Sequence, residues 1–123
     1  MVRRALIRFA RWVRAHYEFP VHVPVYLSEK ERLFTLEKQW VSASFFAPYS
    51  RLDHPYIRIA TGDYPSLQRA RGRNDALAAF ILSLCHEIVH YHQWIKTGQI
   101  KERGVLVRAT AMLQQYADFA RSP

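Results

Sequence analysis

Apolar residues recur at helical spacing near the start of the chain. At about 100° per residue, Val2, Leu6, Phe9, Val13 and Tyr17 share one face, and Arg3, Arg4, Arg8, Arg11 and Arg14 fall on the opposite arc. The pattern predicts an amphipathic helix over residues 2–17, docked on a core. No acid precedes Glu18, so a basic helix lying on a membrane surface, or an Arg-rich leader, carries the same signature. Pro20 and Pro24 then break the period. Val21, Val23, Val25 and Leu27 alternate with His22, Pro24, Tyr26 and Ser28, which predicts an extended strand that Pro24 confines to a sheet edge. Residues 28–38 fit either a short helix capped by Ser28 with Glu31 three positions on, or a hairpin arm. Residues 40–47 and 56–61 are rich in aromatic and β-branched side chains and read as strands. Pro48, Asp53 and Pro55 mark the turn between them.

Gly62 and Asp63 end the sheet region, and residues 63–67 open a short helix. Arg69, Arg71, Gly72, Arg73 and Asn74 read as a basic loop. From Asn74 or Asp75, both good N-caps, a long helix runs to Thr97, where Gly98 is a natural stop. A last helix is expected over residues 102–120, with Leu106, Leu113, Tyr116 and Ala120 facing inward. The fold class is therefore α+β in a single domain spanning 1–123: an N-terminal helix, a small and mainly antiparallel sheet, then two helices.

Composition narrows the function classes. With 123 residues, 50% of them hydrophobic, the chain has material for one modest core and is not a disordered segment. No apolar run approaches the roughly 20 residues of a membrane span, and no secretory leader is expected. The single cysteine, Cys85, excludes an internal disulfide and suits a reducing, cytoplasmic setting. Eighteen Lys and Arg against ten Asp and Glu give a net charge of +8, which draws anionic partners. No nucleic-acid motif accompanies that charge, which favours the plainer reading of a solvated surface that happens to be basic.

The candidate chemistry lies in His86-Glu87-Ile88-Val89-His90, an HExxH pattern inside the long predicted helix. Two His at i and i+4 stand about 40° apart around a helix axis, so both imidazoles reach one metal ion. Glu87, about 100° round from His86, falls outside the ligand pair but within reach of an activated water, the position of a general base. Leu77, Phe80, Ile81, Leu84, Ile88 and Tyr91 form a separate packing stripe, and the smaller or neutral Ala79, Ser83 and Gln93 lie near the His face. The competing interpretation is that His86 and His90 are ordinary core or surface histidines and Glu87 a surface acid. His92 points away from the metal face, Cys85 reads as a small buried hydrophobe, and His16, His22 and His54 lack ligand spacing.

A catalytic zinc site ordinarily takes three protein ligands and keeps a position open. After His90 the chain offers only Glu102 and Asp118 as carboxylates, and Glu102 is the first choice. A tight antiparallel helix hairpin would instead set Leu106 or Val107 opposite His90. Glu102 thus reaches the metal only if the preceding helix ends early or the connection folds back as a loop. Asp53, Asp63 or a water completing the site remain open as alternatives, as does a plain helix N-terminal role for Glu102.

Residues 84–94 resemble the active helix of the zincin superfamily of metallopeptidases, and the segment 56–120 is similar to single-domain miniature gluzincins. The resemblance implies a small zincin-like domain with His86, His90 and Glu102 as Zn2+ ligands and Glu87 as catalytic base. It implies a peptide or protein substrate held by strand addition along residues 56–61. It also implies possible latency imposed by the tail 118–123. Tyr91, flanking the motif, is a further candidate contributor. Two rival functions stand beside zinc peptide hydrolysis: a non-catalytic zinc-binding interaction module, and a nucleic-acid-associated protein reading polyanions with its N-terminal arginines and residues 69–73.

Overall fold

In the computed structural model, which describes residues 1–50 and 52–121, the chain runs α1 (Val2–His16), β1 (Val25–Ser28), β2 (Leu33–Phe34), β3 (Trp40–Val41), β4 (Ala43–Phe46), β5 (Tyr56–Ala60), α2 (Tyr64–Arg71), α3 (Arg73–Thr97) and α4 (Val105–Arg121). This is the α+β architecture that the hydrophobic pattern predicts. Val2, Leu6, Phe9 and Val13 of α1 are buried, joined by Trp12, while its five arginines all face solvent. The apolar stripe of α1 is consumed by the core, where Phe9 meets Tyr116 of α4 edge-on at 5.2 Å. Among the described residues no helix is long and apolar enough to cross a membrane.

The three-stranded sheet has the order β1-β5-β4 and is mixed: β1 runs parallel to β5, and β4 antiparallel to it. A parallel pair needs a long crossover, which residues 29–55 supply. The remaining pair, β2 with β3, is an antiparallel hairpin. Its turn resolves the ambiguity over residues 28–38 in favour of the hairpin arm, with Thr35 accepting from the Lys38 amide at 2.9 Å. The strand expected over 40–47 divides at Ser42, so that β3 turns to β2 and β4 turns to β5. β1 takes an edge, as Pro24 requires.

Residues 56–61 were expected to form the sheet edge that holds an extended substrate, and the structure corrects this. β5 is the central strand, hydrogen-bonded on both sides, and has no backbone groups left to pair with a peptide. The cause is hydrophobicity: Ile57, Ile59 and Ala60 are essentially inaccessible to solvent, and the most apolar strand belongs in the middle. The basic loop is also corrected. Arg69 and Arg71 lie in the last turn of α2, and Arg73 already begins α3. Gly72, at φ +85°, is the single joint between the two helices, a backbone angle that glycine adopts without steric cost.

The inward stripe of α4 is Val105, Ala109 and Met112, with Leu113 and Tyr116 partly buried. Leu106 and Ala120, expected inward, are exposed. The helix starts at Val105 rather than at 102, and Leu106 stands about 100° round from the stripe that Val105, Ala109 and Met112 form. α3 carries the core along its length, with Phe80, Ile81, Leu84, Ile88, Tyr91 and Trp94 buried. Trp94 Nε1 donates to the Pro48 carbonyl at 2.9 Å, tying α3 to the loop after β4.

One close approach controls the end of β5. Gly62 N donates to Lys30 O at 2.8 Å, and a Cβ on Gly62 would lie 2.2 Å from Glu29 O and 2.6 Å from the Lys30 carbonyl carbon. Those are backbone atoms and cannot swing away. We expect Gly62→Ala to destabilise the fold by about 1–3 kcal/mol, the usual cost of forced overpacking. Thermal unfolding reads it, and an unchanged midpoint would contradict the packing described.

Candidate metal centre

α3 supplies two of the three converging side chains. Its 25 residues place His86 and His90 one turn apart, with ring centroids 4.9 Å from each other. Helix α3 stops where Gly98 takes a left-handed φ of +73°, and residues 98–104 fold back before α4 begins. That return carries Glu102 to the histidines. His90 Nε2 lies 2.9 Å from Glu102 Oε1, and His86 Nε2 lies 3.2 Å from Glu102 Oε2. The ligand atoms of His86, His90 and Glu102 all fall within 4.8 Å of one another, and this group could hold a metal ion. Of the two routes open to Glu102, the structure takes the folded-back loop. Leu106 and Val107, the positions a tight hairpin would present, face solvent. Asp63 pairs instead with Arg32 at 3.0 Å, and neither Asp53 nor Asp63 joins the cluster.

Gln93 organises the site. Its Oε1 accepts from the Lys101 amide at 3.1 Å, and its Nε2 donates to the Lys101 carbonyl at 2.9 Å. This two-point clasp fixes the orientation of the amide. Gln93 Oε1 also lies 2.9 Å from His90 Nδ1, so His90 Nδ1 must carry the proton and donate. With Nδ1 committed, His90 Nε2 turns a lone pair towards the Glu102 carboxylate. Two acceptors 2.9 Å apart repel unless a cation, a proton or a metal ion, sits between them. Metal-ligating histidines characteristically donate their other ring nitrogen in this way. The donor spacings also suit a small divalent ion. Ligands about 2.0–2.1 Å from a tetrahedral centre stand roughly 3.3 Å apart, close to both distances here.

His86 is partly exposed, His90 is buried, and Glu102 lies open to solvent. The site therefore has one protected wall and one accessible side. Glu87 is 7% exposed. Burial pushes its carboxyl up from an ordinary 4.5 to about 7; nearby His90 opposes the rise and the Glu102 carboxylate adds to it. A carboxyl poised near neutrality is suited to taking and returning a proton.

Other sequence candidates have different places. Tyr91 is fully buried, and its hydroxyl is engaged with the backbone of Val21, accepting from the amide at 2.9 Å and donating to the carbonyl. It anchors α3 to the segment before β1 and does not face the cluster. His92 binds the Glu18 carbonyl at 2.8 Å, away from the cluster as expected. Cys85 is buried, and burial pushes its thiol up to about 12, which leaves it unreactive. Residues 118–121 form the last turn of α4, while Ser122 and Pro123 of the suggested latency tail lie outside the described residues. The sequence marks Gln93 only as a neutral neighbour of the His face. Its spacing of three from His90 on a helix was the available signal. No protein-family model, curated protein or solved structure matches this chain, so the geometry carries the functional reading alone.

Two outcomes follow from the site. Gln93→Leu removes the clasp and the fixed tautomer together, and should weaken the affinity of the cluster for a divalent metal ion by about 10–100-fold. Competition with a chromophoric chelator measures it, and unchanged affinity would contradict the clasp. The second concerns Glu87 in metal-free protein. Its folded value is raised, so the folded chain holds a proton that the unfolded chain releases above pH 4.5. Its contribution to stability is therefore greatest below pH 4.5 and declines as the pH rises to about 7. Glu87→Gln should lack this loss, gaining about 2 kcal/mol on the parent between pH 5 and 7 in urea unfolding. Parallel pH profiles would contradict it.

Proposed function

We propose that the protein is a zinc metallopeptidase of the HExxH type, with a small zincin-like domain. The observation that carries this reading is the convergence of His86 Nε2, His90 Nε2 and the Glu102 carboxylate, with the buried Glu87 next to His86 on the same helix as both histidines. Zinc is the ion best suited to two imidazoles and one carboxylate with a position left open, and when bound it supplies the Lewis acidity that acidifies water and polarises a carbonyl.

The residues of the chain perform the remaining work. His86 and His90 present lone pairs from one helix face, and Gln93 keeps the His90 lone pair turned outward. Glu102 contributes the negative charge that moderates the ion. Glu87 accepts the proton of the attacking water and returns it to the leaving amine. A substrate in extended form has the outer edge of β4 available to it, since β5 is enclosed. β4 packs on the metal helix through Phe45, whose ring lies 6.1 Å from Tyr91 and 6.2 Å from Trp94.

Glu87→Gln is the discriminating variant. It should retain one zinc per chain while peptide hydrolysis falls by about 10²–10⁴-fold, the usual contribution of a general base. Metal analysis and a quenched-fluorescence peptide assay read both quantities. Retained zinc with unchanged behaviour in every assay would instead favour a non-catalytic metal-binding module.

A further inference from the structure

A groove of about 910 Å³ runs beside the metal helix, between the C-terminal half of α3, the 98–104 connection, the start of α4 and the segment leaving α1. From α3 it is lined by Val89, His92, Gln93 and Lys96 and not by His86 or His90, and Gln93 borders both the groove and the cluster through its contact with His90. Lys96, Lys101, Arg103 and Arg108 line it, against the single carboxylate of Glu18. All four cations are exposed, and none forms an ion pair among the described residues. Its floor is apolar, with Val89 and Met112 buried beneath. Cations of one sign above a low-dielectric floor focus a positive field into the concavity.

We propose that this groove is a substrate subsite for an acidic peptide segment that carries an apolar side chain. Carboxylates of the segment pair with Lys96, Lys101, Arg103 and Arg108, and the apolar side chain rests on Val89 and Met112. The shape favours a peptide over other polyanions. A phosphodiester backbone has no apolar group to fill the floor, and a bilayer surface cannot enter a concave site. Lys101 and Arg103 flank Glu102, and the Lys101 main chain is held by Gln93. A segment seated here therefore bears on the same connection that brings the third ligand to the histidines. The consequence for catalysis rests on the peptidase reading; the binding step does not.

The test uses the full-length Glu87→Gln protein, which binds without cutting, and two labelled peptides followed by fluorescence anisotropy. One has glutamates flanking a single leucine, and the other has glutamines in their place. The acidic peptide should bind about tenfold or more tightly than its glutamine counterpart. Adding Lys96→Glu and Arg108→Glu should abolish that preference. The charge-matched control, Arg4→Glu with Arg8→Glu on the exposed face of α1, should keep it. Circular dichroism checks that each variant is folded. Equal affinity for the two peptides overturns the proposal. So does equal loss in both double variants, because the net charge of the molecule would then be the attractant. A DNA duplex or an anionic vesicle that displaces the peptide from the groove and binds more tightly also overturns it. Loss of the preference with peptide hydrolysis intact in the parent counts against the subsite alone. A preserved preference in a protein without hydrolysis counts against the peptidase reading alone.

Discussion

A lone pair and a carboxylate face each other at 2.9 Å, and the rest of the site follows from that contact. His90 Nδ1 keeps its proton and donates it in a hydrogen bond to Gln93 Oε1, so the other ring nitrogen can meet Glu102 only across a cation. The arrangement is held from both sides. Gln93 grips the Lys101 main chain at two points, which carries the adjacent Glu102 to its place. An exposed ion pair on its own contributes little, and a side chain as open as Glu102 would otherwise sample many positions. The clasp on the neighbouring backbone restricts those positions and keeps the three donor groups together.

The fold exists around this contact in a definite sense. The core stripe of α3 packs against β4 and β5, and its end is tied to Pro48 by Trp94. The opposite stripe is thereby free to carry chemistry. Between the two lies Glu87, buried enough for its carboxyl to resist ionisation yet adjacent to the ligands. Packing, tautomer control and proton affinity are set by successive residues of one helix, and the left-handed Gly98 that ends it directs the chain back to complete the site.

Much of this was legible along the chain. The helices over 2–17 and to Thr97, the Pro24 edge strand, the buried Cys85 and the histidine pair each rest on a local signal: a period, a proline, a cap or a spacing. The misreadings have more than one cause, and the first is dependence on partners distant in sequence. The central place of residues 56–60 is decided by competition among strands for the most buried position, not by the strand's own pattern. The joint at Gly72 looked like a basic loop because arginines dominate the segment, whereas one glycine with a positive φ suffices to separate two helices. Leu106 has the helical spacing to join Leu113, but the face that docks is centred on Val105, Ala109 and Met112, which leaves Leu106 at its side. The reach of Glu102 depends on how seven residues fold back, and the role of Gln93 depends on that same return. A residue whose function is to grip a loop cannot be recognised before the loop has a shape.

X-ray absorption at the zinc edge on the zinc-loaded protein reads the central contact most directly. The account predicts a first shell of two imidazole nitrogens near 2.0–2.1 Å with carboxylate and solvent oxygen at about 2.0–2.2 Å. A shell of solvent oxygens alone, or one containing sulfur at about 2.3 Å from Cys85, would contradict it.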